Sequence, residues 1–244
     1  MIGTLINMIT VAIGSSTGLL IGERLPERIQ QSVVTGLGLV TLTVGLQNAL
    51  QTGNIIIPLL SIGPGVILGE MLDIDGWLNA FGGWLQSRFA GQPQAAANGD
   101  DPRARFINGF VTASLVFCIG PLTFIGSIQD GMTGDYQLLA IKSVLDGFAS
   151  LAFASAMGIG VTFSIITILV LQGGLALLGT VAGEVMSAAM ITEMTATGGL
   201  LLIGLSLVLL DVKQPRMANF LPALVIAPLL VALGEALGIP IYPL

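Results

Sequence analysis

The chain has 244 residues, of which 54% are hydrophobic and only 9% are charged, and its mean hydropathy is +0.93. A composition this apolar is typical of an integral membrane protein. The 14 acidic and 8 basic residues give a formal charge of -6, and no basic cluster indicates a nucleic-acid partner. The absence of histidine excludes Ser-His and Cys-His catalysis, HExxH zinc sites and His-ligated haem, and the one cysteine, Cys118, predicts neither a disulfide nor a thiolate metal site. We therefore expect no enzyme activity, no metal and no cofactor.

Eight apolar segments reach the length that a membrane-spanning helix needs, about 20 residues. The first begins at the N-terminus and lacks the basic n-region and cleavage site of a signal peptide, so we interpret it as a retained membrane helix. In chain order, the predicted segments are 3–22, 32–50, 54–72, 106–128, 137–157, 159–181, 196–211 and 219–238.

The stretch 73–90 predicts an amphipathic helix, because its large apolar side chains recur on one helical stripe. That stripe includes both tryptophans of the chain: Ile74, Trp77, Leu78, Phe81, Trp84, Leu85 and Phe89. Such a stripe is typical of a helix that lies in the headgroup plane, and a gate or a surface for a partner is the alternative. The polar run that follows, 91–105, predicts an aqueous loop.

The positions of the basic residues predict how the chain is oriented across the membrane. If the N-terminus lies outside and eight segments span, every Lys and Arg outside the segments falls in a cytoplasmic loop, in agreement with the positive-inside rule. The outer loops then contain acidic residues but no Lys or Arg. The cytoplasmic set is Arg24, Arg28, Arg88, Arg103, Arg105, Lys213 and Arg216, and the outer set is Asp130, Asp135, Glu184 and Glu193.

Sequence similarity within the chain predicts two repeats, 1–72 and 159–244. Gly18, Gly22 and Glu23 match Gly179, Gly183 and Glu184 at an offset of 161, Thr35-Gly36 matches Thr197-Gly198 at 162, Pro58 and Pro64 match Pro222 and Pro228 at 164, and Gly69-Glu70 matches Gly234-Glu235 at 165. Because equivalent helices are five positions apart in the order of the spans, the repeats run in opposite directions, which is typical of secondary transporters. A chance similarity among Gly-rich helices is the alternative.

Glycines recur every four residues on the first segment, at Gly14, Gly18 and Gly22, and Gly179 with Gly183 forms a similar pair on the sixth. Small residues at this spacing let two helix backbones approach closely. We expect these faces to pack within one chain, and the alternative is that they join the subunits of a homo-oligomer.

Between the repeats, 106–158 predicts a central helix pair joined by the turn GSIQDGMTGD. Pro121 lacks an N–H group and its ring crowds the preceding turn, so we expect the fourth segment to kink or break near Gly120. Backbone groups freed by such a break must face protein or water. The break could therefore contribute to a substrate or ion site, or it could be a packing kink only.

Lys142 and Asp146 lie four residues apart and therefore share one face of the fifth segment. Charges inside a membrane are costly and usually indicate a pathway or a partner. Lys142 could simply neutralise Asp146; alternatively, Asp146 binds a cation or proton, and Asp130 and Asp135 form an acidic vestibule. The candidate substrate- or ion-binding residues are Asp146, Lys142, Asp130, Asp135, Gln129, Ser127, Gly120, Pro121 and Ser114.

Two stretches, GLLIGERLPERI at 18–29 and CIGPLTFIGSIQDGMTGDYQLLAIKSVLDGFAS at 118–150, resemble the domain-of-unknown-function 554 family of bacterial multi-pass membrane proteins, some of them described as affecting biofilm formation. The resemblance covers nearly the whole chain except the loop at 91–104. It implies a bacterial inner-membrane protein but no substrate or reaction.

The sequence thus predicts an all-α integral membrane protein with about eight transmembrane helices, inverted three-helix repeats, a central helix pair and an interfacial amphipathic helix. Its expected partners are the lipid bilayer and a small solute or ion. A secondary transporter or channel is the first functional hypothesis. A non-transporting scaffold or regulatory protein is the second. An intramembrane acid–base enzyme is the third, and it lacks the GxGD pattern of membrane aspartyl proteases because Met132-Thr133 precedes Gly134-Asp135.

Overall fold

The computed structural model describes residues 1–22, 26–89, 102–118, 121–182, 186–239 and 241–242. Within these residues it contains helices and no strand, which confirms the all-α prediction. The helices are α1 (Ile2–Gly22), α2 (Glu27–Ala49), α3 (Ile56–Leu72), α4 (Ile74–Phe89), α5 (Pro102–Cys118), α6 (Pro121–Thr133), α7 (Gln137–Met157), α8 (Ser164–Ala182), α9 (Ala188–Leu209) and α10 (Ala223–Ala236), with 3-10 helices at Ile159–Phe163 and Met217–Phe220.

Six helices of the described chain are long and apolar enough to cross a bilayer, or seven if the pair α3 and α4, bent by 49°, counts as one span. The predicted number of eight is therefore not confirmed. The other two predicted segments differ for physical reasons: α3 has only 17 residues, and the fourth segment is divided between α5 and α6.

Two predicted boundaries are wrong in a way that matters for function. The seventh segment was expected at 196–211, but α9 begins at Ala188, because the Ser187 hydroxyl caps the helix by accepting a hydrogen bond from the Met190 N–H. The fourth segment was expected to end at 128, but α6 continues to Thr133. Glu193 and Asp130, which were expected in loops, therefore lie in helices.

The chain forms two compact units, each assembled from separate stretches. Unit 1 comprises Met1–Leu37, Trp77–Cys118 and Leu122–Gly183, and unit 2 comprises Gly38–Gly76, Ile119–Pro121 and Glu184–Leu244. Unit 1 contains α1 and α5 to α8, and unit 2 contains α3, α9 and α10.

Unit 1 is organised around α1 and α7, which run parallel in close contact. A Cβ atom at Gly14, Gly18 or Gly22 would overlap backbone oxygens of α7, those of Gly147, Leu151 and Ser155 in that order. Only glycine lets the two backbones approach this closely. The predicted glycine face of the first segment is therefore occupied by α7 of the same chain.

Helices α5, α6 and α8 complete unit 1. Gly109 lies against Met157 and Phe117 against Phe153, so α5 runs antiparallel to α7. On α8, Gly179 lies against Ile128 of α6.

Unit 2 contains two antiparallel helix pairs. In the first, Gly45 of α2 lies against Gly199 of α9. In the second, Gly65 and Gly69 of α3 lie against Ala223 and Asn219 at the start of α10. Ile57, Ala227 and Val231 form the apolar core between α3 and α10.

The ends of α3 and α10 resemble each other. Asn54, before α3, donates a 2.7 Å hydrogen bond to the Ile241 carbonyl after α10. Asn219, before α10, accepts a 2.7 Å hydrogen bond from the Asp75 N–H after α3. Asp73 and Gly238, which follow the two helices, both have a left-handed backbone, with φ of 46° and 67°. Each feature of one helix thus has a counterpart in the other.

The amphipathic helix predicted at 73–90 is present as α4, but its stripe divides into two surfaces. Leu85 is buried against Phe106 and Phe110 of α5. Trp77 and Trp84 remain exposed, at 77% and 55% of their surface. The apolar side chains of α4 therefore serve both the core of unit 1 and an exposed aromatic surface.

Candidate functional site

The centre of α7 contains a buried ion pair. Lys142 and Asp146 are only 6% and 8% exposed, and the Lys142 ammonium contacts Asp146 Oδ2 directly. Asp146 lies next to the midpoint of this 21-residue helix, and Lys142 is about 6 Å nearer its N-terminus at 1.5 Å per residue. The two residues are one turn apart on one face, as their spacing predicts.

A third residue, Asn7 of α1, completes this cluster. Its side-chain Nδ2 donates a 2.9 Å hydrogen bond to Asp146 Oδ2, and Asn7 is completely buried. The close approach of α1 to α7 through their glycines brings this amide within reach of the carboxylate. Asn7 Oδ1 has no hydrogen-bond partner within the described structure. The cluster of Lys142, Asp146 and Asn7, which we call the central polar site, therefore retains a free buried acceptor.

The interruption between α5 and α6 begins beside the central polar site. Cys118, the last residue of α5, is buried, and Phe117 directly before it packs against Phe153 of α7, two turns after Asp146. The next helix starts at Pro121, whose fixed φ suits the first turn of a helix. Gly120 lies outside the described residues. The end of one helix and the start of another thus flank the predicted position of the break.

Asp130 is not part of the central polar site. It lies near the end of α6, is 2% exposed, and accepts a 3.1 Å hydrogen bond from the Gly3 N–H of α1. The Met1 amino group lies 3.0 Å from its other oxygen. Asp130 therefore joins α6 to the start of α1, whereas Asp135 is half-buried and accepts a 2.9 Å hydrogen bond from Gln129. The two aspartates have different surroundings and do not share one open surface.

The remaining predicted residues are distributed along unit 1. Ser114 of α5 forms a 2.9 Å hydrogen bond with Thr167 of α8. Ser127 of α6 is completely buried, and its hydroxyl has no partner among the described residues. Pro121 begins α6. Sequence reasoning therefore identified the ion pair, but it spread the site over residues that the structure does not bring together.

Sequence reasoning missed Asn7 and Gln172, two buried amides in apolar helices of unit 1. Gln172 of α8 is completely buried, and neither its Nε2 nor its Oε1 has a partner in the part of the chain that is described. A lone amide inside an otherwise apolar span was the available signal, because polar side chains in such helices usually face the protein interior.

Comparisons with known proteins give the family. A family profile described as "Protein of unknown function (DUF554)" matches residues 2–232. YqgA, an uncharacterized protein of Escherichia coli (strain K12), is 31% identical over 226 residues, which cover 93% of this chain and 94% of that protein. YdfK, an uncharacterized membrane protein of Bacillus subtilis (strain 168), is 26% identical over 243 residues, which cover 98% and 99%. No solved structure matches significantly. Because the family profile spans nearly the whole chain, the protein belongs to the DUF554 family.

Proposed function

We propose that this membrane protein is a secondary transporter or channel for a small solute or ion, and that the central polar site lies on its permeation path. The observation that carries the proposal is the buried Lys142–Asp146 pair beside the end of α5. Each charge at the centre of a membrane helix costs about 2.5–3.5 kcal/mol on insertion scales, so such residues are usually functional. A purely structural helix contact needs no charge.

The geometry of unit 2 supports the predicted inverted repeats. In a pair of inverted repeats, equivalent helices run antiparallel, as α2 with α9 and α3 with α10 do. Asn219 follows Asn54 by 165 residues, and Gly238 follows Asp73 by the same interval, close to the offsets of 161 to 165 in the sequence. Inverted repeats let one site face alternate sides of a membrane.

Contacts between helix ends support the predicted topology, with both termini outside the bacterial cytoplasmic membrane and the 91–105 loop in the cytoplasm. In unit 1, Arg105 at the start of α5 donates to the Ala156 carbonyl at the end of α7, and both ends are predicted to be cytoplasmic. In unit 2, Arg216 pairs with Glu70 in the last turn of α3 and with Asp73 directly after it, again on the predicted cytoplasmic side. Both contacts join helix ends that the prediction assigns to the same side.

Flux measurements test the transport proposal. Purified protein would be reconstituted into liposomes containing a pH-sensitive dye, a Na+ or K+ indicator, or a concentrated neutral solute for swelling assays. We expect at least one flux above that of empty liposomes, and its loss in the joint variant Lys142→Met with Asp146→Leu. Asp211→Asn, a change at a carboxylate that lies beyond α9, is the matched control and should retain the flux. Equal fluxes in the wild type and the joint variant would remove the central polar site from the path.

The second candidate function is a non-transporting scaffold, and the exposed aromatic surface of α4 favours it. Trp77 and Trp84 could hold a partner protein or the lipid headgroups. Absence of flux for every probe, together with loss of partner binding in Trp77→Ala with Trp84→Ala, would favour this function over transport.

A further inference from the structure

A second intramembrane carboxylate, Glu193, lies in unit 2 and is completely buried. Its Oε2 accepts a 2.7 Å hydrogen bond from the Thr52 hydroxyl, and its Oε1 accepts a 2.9 Å hydrogen bond from the Gly53 N–H. Both donors belong to the connection between α2 and α3. Two donors on the two oxygens match an ionised carboxylate, which accepts hydrogen bonds and donates none.

No basic side chain of unit 2 lies near this carboxylate. The two basic residues in the sequence of unit 2, Lys213 and Arg216, both follow the opposite end of α9. The 16 residues from Glu193 to Leu209 span about 24 Å at 1.5 Å per residue. Arg216 is moreover engaged with Glu70 and Asp73. Within its own unit, the negative charge of Glu193 therefore lacks the partner that Asp146 has in Lys142.

Other oxygen atoms lie close to Glu193. Thr197 lies one turn further along the same face of α9 and is completely buried. Its hydroxyl has no hydrogen-bond partner in the described residues. Tyr242, after α10, packs its ring against Gly53, the residue whose N–H donates to Glu193. Burial, followed by the negative charge of Glu193, raises the pKa of its phenol. Three separate parts of unit 2 thus bring oxygen atoms to one place.

We propose that Glu193, Thr197 and Tyr242 bind a monovalent cation of the Na+ or K+ class. Hard cations prefer carboxylate, hydroxyl and carbonyl oxygens. A single carboxylate matches a single positive charge, and the described residues contain no group of three or more Asp, Glu, Cys or His side chains that would hold a metal ion of higher charge. The cation neutralises a buried charge that would otherwise be costly.

The site lies where α9 meets the segments that follow α2 and α10, so an occupied site joins these segments. A bound cation should therefore stabilise the folded protein, because a ligand that binds only the folded state raises its stability with concentration. This expectation concerns binding alone and does not depend on whether the central polar site carries flux.

Thermal unfolding in detergent micelles tests the proposal. Tm would be measured in NaCl, KCl and choline chloride at equal ionic strength, and the series would be repeated at a second fixed pH. We expect Tm of the wild type to rise saturably with Na+ or K+ and to remain unchanged in choline. Glu193→Gln, which keeps the shape of the side chain, should abolish the rise. Thr197→Val, which keeps both shape and charge, should move the midpoint to a cation concentration at least about tenfold higher, a loss of about 1.4 kcal/mol in binding.

Two further variants separate this site from other effects. Asp211→Asn removes an exposed carboxylate after α9 and should keep the full rise in Tm. Lys142→Met with Asp146→Leu alters the central polar site and should also keep the rise in Tm. A failure of the transport proposal would therefore be distinguishable from a failure of this one. The proposal is overturned if the three salts give the same Tm, if Glu193→Gln and Thr197→Val respond to cations like the wild type, or if Tm follows pH but not the cation, which would indicate a bound proton.

Discussion

The carboxylate of Asp146 has two donors from different helices, Lys142 on α7 and Asn7 on α1. Removal of one member of a buried ion pair leaves the other charge unpaired and costs about 3–5 kcal/mol. We therefore expect Lys142→Met alone and Asp146→Leu alone each to lower the free energy of unfolding by that amount. The joint variant leaves only the neutral Asn7 amide without its acceptor, which costs about 1–3 kcal/mol.

A double-mutant cycle measures this coupling through the unfolding of the two single variants and the joint variant. The joint variant should be more stable than either single variant. If the destabilisations instead add, the two charges do not compensate each other, and the ion pair does not form in the folded protein. Addition of Asn7→Leu to the joint variant should recover part of the remaining loss, because it removes the orphaned amide.

The phenol of Tyr242 lies outside the membrane-spanning helices and should report on Glu193. Burial, followed by the negative charge of Glu193, raises the pKa of Tyr242. A raised folded-state pKa stabilises the fold below the unfolded value of about 10, and this contribution is lost as the pH rises through the folded-state value. Stability of the wild type should thus fall more steeply above about pH 10 than that of Tyr242→Phe.

Ultraviolet absorbance of the phenolate checks this pKa directly, because the chain has only two tyrosines. Tyr242→Phe leaves the transition of Tyr136 alone, and the difference from the wild type gives the titration of Tyr242. In Glu193→Gln, titrated in choline chloride without Na+ or K+, the Tyr242 transition should lie at lower pH than in the wild type under the same conditions. An unchanged transition would place the Glu193 charge too far away to act on the phenol.

Among the helices, α1 and α7 form a contact in which three successive glycines leave no room for a larger side chain. A side chain at Gly18 would overlap the Leu151 carbonyl, a backbone atom that cannot rotate away. Gly18→Leu should therefore destabilise the protein by about 1–3 kcal/mol or more, the usual range for overpacking. The matched control is Gly36→Leu on α2, since a Cβ atom at Gly36 meets nothing within 4 Å.

The two leucine variants would be compared by size-exclusion chromatography and thermal unfolding. We expect Gly36→Leu to behave like the wild type and Gly18→Leu to unfold at a lower temperature. A well-folded Gly18→Leu protein that has only lost a subunit would instead show that the glycine face of α1 joins two chains.

The sequence was most informative where a local pattern determines the structure. The spacing of Lys142 and Asp146 predicts their contact, and Pro121 predicts a kink or break near Gly120; α5 ends at Cys118 and α6 begins at Pro121. It was least informative where a contact between distant parts of the chain determines the position of a residue. Asn7 belongs to the central polar site only because α1 packs on α7. Hydropathy alone predicts a loop at Glu193, because it does not show the cap that Ser187 provides. With that cap, α9 begins eight residues before the predicted start.

At the scale of the whole molecule, the predicted topology requires residues 91–105 and Met132 to lie on opposite sides of the membrane. In a Cys118→Ala background, we expect Ala96→Cys to be protected from a membrane-impermeant thiol reagent applied outside intact cells and Met132→Cys to react, since Met132 is 38% exposed. Permeabilised cells, in which both positions should react, provide the control. Reaction of both cysteines in intact cells would contradict the eight-span topology.

The pairing of α1 with α7 also has a consequence for biosynthesis. Asn7 and Asp146 are 139 residues apart in the chain, so the first membrane helix is made long before the helix that it contacts. At about 5–20 residues per second, roughly 7–28 s pass on the ribosome between the two. During that interval α1 must remain in the bilayer or the insertion machinery, and its glycines and the Asn7 side-chain amide do not yet have their contacts on α7. The earliest helix of the chain therefore reaches its final surroundings among the last.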